Sequence, residues 1–476
     1  MPAQPAQLNH NALSLRDVVF QGITHIAPAV NVVFTLPVIA AHAGAAMPLS
    51  LLLSVVVCFL IANTVAQFSR YVPSSGGYYT FVSRGLGPRW GFLTTWSYLI
   101  YEVVGPAAPI GILGLATAGF VKAGIGYDIP WWIFSVAMSV VVWILTYRSV
   151  RLSAHTTAIL GAVEILILLA LGVTFLIYPA DGSSMTAPLD PSSAPKKWGV
   201  LGGMVFSILA LSGFEAPAPL AEESKRPTRF IYLAIFLSLV IVGVFYVFMA
   251  YSSAVGWGTA NLAGFVNEDS YYTLVKKVWG NGWWLVFFAL INCTLALGVS
   301  GTNAATRVIY TMALARTLPA PLKKIHPVHR TPYVAVHVFQ ILQIACFLLV
   351  GVCLGPGTIF PFIGTIGSLA VIVLYMLANV ALTLFVWQRH RPDFSIWRHG
   401  VVPAMGTLML IPVVVITVWE FPENLLNFSQ WAVQKPPFNL APYCFVALMI
   451  LGLAVMWVLQ ARRPEALKRD LSQVSE

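Results

Sequence analysis

Three carboxylate side chains lie in apolar stretches long enough to enter a lipid bilayer: Glu102, Glu164 and Glu215. The other 14 of the 17 acidic residues fall in polar loops or tails. An acidic residue at the centre of a membrane helix costs roughly 2.5–3.5 kcal/mol on insertion. No lysine falls well inside a predicted span, so these carboxylates have no obvious ammonium partner. Each could carry a proton or balance a cationic substrate; alternatively, each is protonated or hydrogen-bonded for packing alone.

Glu215 belongs to a stretch, residues 201–228, that begins as an apolar helix and then interrupts its own pattern. Gly213 loosens the backbone beside it, while Pro217 and Pro219 remove two backbone donors and block helix continuation. Free backbone groups at membrane depth are tolerated only where protein or a water-filled cavity surrounds them. Many secondary transporters build their midplane substrate sites from such discontinuous helices. We therefore interpret this stretch as half of a binding site.

A second interrupted helix is predicted near the amino terminus, in the sequence GITHIAPAVNVVFTLPVIAAHAG. Pro28 lacks an amide donor and clashes with the carbonyl of Thr24, so we expect a break between Ala27 and Val32. His25, just before this break, is either a satisfied structural residue or part of a permeation path. The two interrupted helices are five spans apart, which is the spacing expected in an inverted repeat of five plus five helices.

The composition indicates a polytopic membrane protein. Of 476 residues, 58% are hydrophobic and 9% are charged, against a charged fraction of about 25% in soluble domains. The net charge of +10 does not gather in a basic groove, which argues against a nucleic-acid partner. The five cysteines lack CxxC spacing, so we predict no disulfide framework, no metal site and no cofactor. The polar first residues predict no cleavable signal peptide.

Apolar segments predict twelve transmembrane spans, at residues 18–46, 49–68, 90–121, 130–147, 154–178, 201–228, 230–255, 283–315, 333–354, 359–387, 401–419 and 442–459. They divide the chain into an amino-terminal tail (1–17), spans 1–5 (18–178), a loop (179–197), spans 6–10 (198–390), spans 11 and 12 (401–460) and a carboxy-terminal tail (461–476).

The basic residues predict the orientation of these spans. With the amino terminus inside, 21 of the 27 lysines and arginines lie on one side of the membrane and six on the other. Such an asymmetry is the positive-inside pattern. It predicts a multi-pass protein of the cell (inner) membrane with both termini in the cytoplasm and an extracytoplasmic loop at 179–197.

Three motifs resemble those of the amino acid–polyamine–organocation (APC) superfamily of permeases. The family signature P-x-x-G-G-x-Y is matched by PSSGGYY at 73–79. Its G-x-E, A-x-E and basic-Pro-x-Arg pattern is matched by GFEAPAPLAEESKRPTR at 213–229. Its N-A-x-x-R-x-x-Y-x-M-x-x-x-R stretch and H-P-x-x-R-T-P loop are similar to TNAATRVIYTMALARTLPAPLKKIHPVHRTP at 302–332. The three occur in the family's order along spans 1–10.

The resemblance implies an all-α fold with a five-plus-five inverted repeat (LeuT-like), helices 1 and 6 broken, and two further carboxy-terminal helices. It implies a transporter of amino acids or polyamines that works by alternating access, and no enzyme. Amides at the span 1 break would hold a substrate carboxylate, and span 6 carbonyls with neighbouring side chains would hold its amine. The substrate-binding residues so implied are Ala27, Ala29, Val30, Asn31, Val32, Glu102, Ser212, Gly213, Phe214 and Glu215.

The sequence departs from the family pattern in ways that bear on the substrate and the coupling ion. Val30-Asn31-Val32 stands where relatives carry a Gly-Ser-Gly-like element, and bulky valines hinder close backbone approach. This favours a cationic amine or basic amino acid. Glu164 falls where several relatives carry a coupling lysine, which predicts a proton-coupled importer; sodium at Glu164 and substrate exchange are the alternatives. A membrane enzyme, channel or sensor is less favoured, because the nine histidines are scattered without an HExxH motif.

Overall fold

The computed structural model describes residues 11–148, 150–195, 199–260, 262–266, 270–418 and 437–462. Within these ranges the chain is helical and contains no β-strand. The α-helices are α1 (Leu15–Ile26), α2 (Pro28–Val30), α3 (Leu36–Ala43), α4 (Met47–Tyr71), α5 (Tyr78–Leu86), α6 (Pro88–Ile125), α7 (Trp131–Arg148), α8 (Val150–Ile177), α9 (Gly199–Leu211), α10 (Pro227–Trp257), α11 (Ser270–Trp279), α12 (Trp284–Leu314), α13 (Tyr333–Leu354), α14 (Ile359–Arg389), α15 (Val402–Val418) and α16 (Ala441–Arg462).

Parts of the predicted organisation lie outside the described residues. They are residues 1–10 of the amino-terminal tail, residue 149 in the segment of spans 1–5, 196–197 of the predicted loop, 198, 261 and 267–269 in the segment of spans 6–10, 419–436 in the segment of spans 11 and 12, and 463–476 of the carboxy-terminal tail.

Nine segments in the described part of the chain are long and apolar enough to cross a membrane. One of them, Leu15–Tyr71, contains both predicted spans 1 and 2, and the others coincide with spans 3–5, 7–10 and 12. Spans 6 and 11 correspond to shorter helices, α9 with 13 residues and α15 with 17. The all-α, multi-span architecture is thus confirmed, while the number twelve and the inverted repeat stay predictions.

The first span breaks at Ala27. Helix α1 ends at Ile26, and Ala27 takes a left-handed conformation with φ 56° and ψ 68° before α2 begins at Pro28. A positive φ is uncommon for a residue with a Cβ atom, and the proline that follows has no amide to continue the helical ladder. After α2 the chain passes through a π-helical turn, Asn31–Thr35, before α3 completes the span.

The sixth span breaks after α9. Gly213 has a φ of +114°, which glycine adopts at little steric cost. Turns then lead into a 3₁₀ helix, Ala218–Glu223, whose N-cap is Pro217. A Cβ atom on Gly213 would lie 2.7 Å from the ring of His25 and 2.9 Å from its carbonyl carbon. The two broken spans therefore touch where their backbones are interrupted.

The broken spans occupy the centre of the helix bundle. Helix α1 packs against α8, α10 and α12, while α3 packs against α9, and α9 packs against α4. Helix α16 lies at the periphery: only 11% of its apolar window is buried, against 72% for the segment that contains α12. Apolar side chains left exposed on such a helix are those that lipid would cover.

Candidate functional site

The carbonyl groups released by the span 1 break are satisfied by two side chains. The Nδ2 amide of Asn31 donates to the carbonyl oxygen of Ile26 at 2.6 Å and to that of Ala210 at 3.1 Å. The hydroxyl group of Tyr246 donates to the carbonyl oxygens of Ile26 at 3.1 Å and Ala27 at 3.4 Å. Because Ala210 is the penultimate residue of α9, Asn31 links the two broken spans directly.

A histidine and a carboxylate meet beside the break. Nε2 of His25 lies 3.6 Å from Oε1 of Glu102 on α6, and its Nδ1 lies 3.3 Å from the hydroxyl oxygen of Ser300 on α12. Both side chains are buried. Within the described residues, neither oxygen of Glu102 has a hydrogen-bond partner of ordinary geometry, although the Tyr98 hydroxyl lies beside it. A buried carboxylate without well-aligned donors is costly, so Glu102 is suited to receive a cation or a proton.

Glu215 is held at the span 6 break. Its Oε2 accepts hydrogen bonds from the amide of Gly213 at 3.1 Å and from the hydroxyl group of Tyr375 at 2.8 Å. Phe214 stacks on the Tyr375 ring with 5.7 Å between centroids, which fixes the orientation of that donor. Glu215 and Glu102 are both buried, and the two carboxylates would repel each other if both were charged. Two carboxylates in one buried cluster, when charged, favour a positively charged occupant.

Glu164 lies in a different setting. Its side chain is buried on α8, and among the described residues neither carboxyl oxygen has a hydrogen-bond partner of ordinary geometry. The thiol group of Cys293, on α12, lies beside this carboxyl group. The sulfur of Cys293 also faces the backbone amides of Ala29 and Val30 in α2. A single side chain, that of Cys293, therefore separates Glu164 from the span 1 break.

At the end of the bundle where α1 begins, a buried ion pair and several hydrogen bonds connect separate segments of the chain. Arg307 Nε donates to Oε2 of Glu223 at 2.8 Å, and both side chains are almost fully buried. The amide of Leu13 donates to the carbonyl oxygen of Glu223 at 2.9 Å. Next to this pair, Glu222 accepts hydrogen bonds of 2.9 Å from the amide and the hydroxyl group of Ser75. These contacts join the amino-terminal segment, the PSSGGYY loop, the 3₁₀ helix after the span 6 break and α12.

The family model described as Amino acid permease matches residues 17–468, nearly the whole chain, in agreement with the motifs and the broken spans. The chain belongs to the amino acid permease family. The permease is 25% identical over 418 residues to the branched-chain amino acid permease BcaP of Bacillus subtilis (strain 168), covering 82% of this chain and 84% of that relative.

Two further relatives cover most of the permease. An uncharacterized transporter of Mycobacterium tuberculosis (strain ATCC 25618 / H37Rv) is 29% identical over 404 residues, covering 84% of this chain and 86% of the relative. The low-affinity putrescine importer PlaP of Escherichia coli (strain K12) is 24% identical over 328 residues, covering 67% of this chain and 71% of the relative. This protein is therefore a multi-pass membrane transporter for amino acids or amines, and not an enzyme.

The permease brings some of its predicted substrate-binding residues together. Glu102 and Gly213 lie against His25, and Glu215 accepts a hydrogen bond from the Gly213 amide. Two others bind backbone carbonyl groups near the breaks. Asn31 bridges the two spans, and the Ser212 hydroxyl group donates to a carbonyl of its own helix at 3.2 Å. The remaining residues are buried in or beside a break: Ala27, Ala29, Val30, Val32 and Phe214.

The sequence interpretation missed four side chains of the permease. Tyr246 contacts the span 1 break, Cys293 lies beside Glu164, Ser300 faces His25, and Tyr375 donates to Glu215. Each lies in an apolar helix outside the breaks, where a tyrosine, serine or cysteine is indistinguishable from a packing residue. Only the hydroxyl or thiol group gives a weak signal, because a polar atom buried in a membrane helix needs a partner.

Proposed function

We propose that this permease imports a cationic amine or a basic amino acid across the cell membrane by alternating access, in symport with protons. The observation that carries the proposal is the Glu102 carboxylate, which is buried, has no hydrogen-bond donor of ordinary geometry in the described part of the chain and interacts electrostatically with Glu215. A substrate ammonium group supplies three hydrogen-bond donors and one positive charge. It therefore supplies both the hydrogen-bond donors and the positive charge that this cluster lacks.

The relatives support an amine and also supply a second candidate. One relative is named as a putrescine importer, and putrescine carries ammonium groups and no carboxylate. Another is named as a branched-chain amino acid permease and matches a larger share of the chain. A neutral branched-chain amino acid is accordingly the second candidate, since Phe214 and Val30 add apolar surface near the breaks.

Alternating access requires an end of the bundle that can open, and we assign that role to the end closed by Arg307 and Glu223. Most basic residues are predicted to lie on this side, which supports a cytoplasmic location for it and for both termini. The structure then represents a state closed towards the cytoplasm. Opening would separate the 3₁₀ helix after the span 6 break from α12.

Glu164 is the residue that we assign to the coupling proton. Its carboxyl group is buried on α8 beside α12 and the span 1 break, so its charge state acts on the helices that must rearrange. A neutral, protonated carboxyl group fits an apolar environment, whereas the charged form requires a donor or access to water. Loading and release of the proton can therefore follow exposure to one side of the membrane and then the other.

Uptake by purified protein in proteoliposomes tests the proposal. Labelled putrescine, lysine and leucine are offered separately, under an inward proton gradient, an inward sodium gradient or no gradient. We expect concentrative uptake of putrescine or lysine under the proton gradient. Uptake of leucine alone would contradict the cationic substrate, and accumulation that follows sodium without response to pH would contradict the proton. Uptake that requires preloaded internal substrate would identify an exchanger.

A further inference from the structure

Cys293 lies between the Glu164 carboxyl group and the span 1 break. It is fully buried on α12, with the Glu164 carboxyl group on one side and the amides of Ala29 and Val30 on another. Helix α12 packs against both α8 and α2, so the thiol group lies where three helices meet. A thiol can donate one hydrogen bond and accept others through sulfur. Cys293 can therefore interact with the carboxyl group and with the span 1 break at the same time.

The helices around this thiol group are held closely together. Asn292 Nδ2 donates to the carbonyl oxygen of Leu160 at 3.0 Å, one turn before Glu164, and so fixes α12 on α8. A Cβ atom on Gly161 would lie 2.7 Å from a methyl carbon of Thr24, so α8 and α1 approach as closely as a glycine permits. With so little free space, a change at Glu164 must be met by movement of its neighbours.

The polar side chains near Glu164 also contact the backbone of the broken span 1. Within the described residues, the titratable groups that face it are Cys293 from α12 and Tyr246 from α10. Helix α2 contributes the amides of Ala29 and Val30, which face the sulfur of Cys293. Tyr246 donates to the carbonyl oxygen of Ile26. Both titratable neighbours of Glu164 therefore also contact the backbone of span 1.

We propose that Cys293 is a positioning residue that transmits the protonation state of Glu164 to the span 1 break. The inference rests on the proposed function, in which Glu164 carries the coupling proton. When the carboxyl group is charged, the thiol hydrogen points to it, and the sulfur lone pairs remain with the amides of Ala29 and Val30. When it is protonated, its O–H group donates to the sulfur, competes with those amides and loosens the break.

The test separates coupling from substrate exchange in proteoliposomes. Cys293→Val removes hydrogen bonding and makes the side chain somewhat larger, whereas Cys293→Ser keeps one donor and two acceptor lone pairs. We expect Cys293→Val to exchange substrate normally without a gradient, while its proton-driven accumulation falls by about tenfold, the effect of losing one or two buried hydrogen bonds. Cys293→Ser should retain accumulation with an unchanged pH profile. Cys346→Val, on α13 and outside this cluster, is the matched control.

The double variant Glu164→Gln/Cys293→Val should lose no more accumulation than Glu164→Gln alone, because both residues act in one path. Full accumulation in Cys293→Val, or equal losses in the Val and Ser variants, would overturn the role of Cys293. If Cys293→Val does not fold, as judged by exchange activity, Cys293→Ala replaces it in the same comparison. If Glu164→Gln still accumulates substrate, the proposed proton site itself is wrong, and this outcome is distinct from a failure of Cys293 alone.

Discussion

The imidazole of His25 and the carboxylate of Glu102 lie 3.6 Å apart in a buried cluster, although they come from the first and the third span. The other ring nitrogen of His25 faces the Ser300 hydroxyl group. A protonated imidazole and a bound ammonium group this close to one carboxylate would repel each other strongly in a medium of low dielectric constant. His25 should therefore be neutral when a cation occupies the site.

Replacing Glu102 by glutamine should weaken recognition of positively charged substrates. The amide keeps the shape of the side chain but removes its charge. We expect putrescine and basic amino acids to compete with labelled substrate in the wild type, and to lose at least about tenfold in apparent affinity in Glu102→Gln. Competition assays with diamines, basic amino acids and neutral amino acids provide the measurement. If only neutral or acidic amino acids compete, Glu102 is a structural residue and the substrate is not a cation.

Glu215→Gln should reduce transport by about tenfold or more while the protein remains folded. The carboxylate accepts hydrogen bonds from Gly213 and Tyr375 at the span 6 break, and a neutral amide attracts neither these donors nor a substrate cation as strongly. Initial uptake rates and gel filtration in detergent check the two halves of this expectation. Asp128→Asn, on the exposed surface, is the control. Wild-type kinetics in Glu215→Gln would remove Glu215 from the site.

Gly213→Ala tests the contact between the two broken spans. Its Cβ atom would collide with the ring and the backbone of His25. Gly182→Ala is a matched control, because Gly182 also has a positive φ but has no atom within 4 Å of the added Cβ. Both variants incur a backbone penalty of about 1–2 kcal/mol, because alanine replaces a glycine of positive φ. Only Gly213→Ala should also lose most of its uptake. Equal uptake in the two variants would show that the close approach to His25 is not required.

Glu164→Gln should separate substrate exchange from accumulation. Glutamine cannot release a proton, so the variant should still bind and exchange substrate but should not concentrate it when an inward proton gradient is applied. The measurement is uptake into proteoliposomes at several external pH values, beside exchange at equal pH on both sides. A Glu164→Gln protein that still accumulates substrate under a proton gradient would assign the coupling proton to another residue.

Arg307→Gln should destabilise the protein, because Glu223 would remain buried without its charged partner. Loss of one member of a buried ion pair typically costs about 3–5 kcal/mol. We expect a lower melting temperature in detergent for Arg307→Gln than for Lys122→Gln, which breaks an exposed pair with Asp128. Similar melting temperatures for the two variants would show that the buried pair contributes little.

The sequence by itself determined the features that depend on local backbone chemistry and on hydrophobicity. Pro28 predicted the break in span 1, and Gly213 with the prolines after it predicted the break in span 6, because these residues act on their own backbone wherever the helices pack. The three acidic residues were found in the same way, since a carboxylate within an apolar helix is visible without knowledge of its neighbours. The motifs added the family, which the match over residues 17–468 confirmed.

Only the tertiary structure decided how these residues are grouped. It placed Glu102 beside His25 and Glu164 beside Cys293, and it assigned Asn31 to the link between the two spans. The sequence could not predict these pairs, because the partners lie on helices far apart in the chain. Their proximity depends on how whole helices pack and rotate. Two carboxylates that look equivalent in an apolar sequence thus acquire different surroundings, and with them different proposed roles.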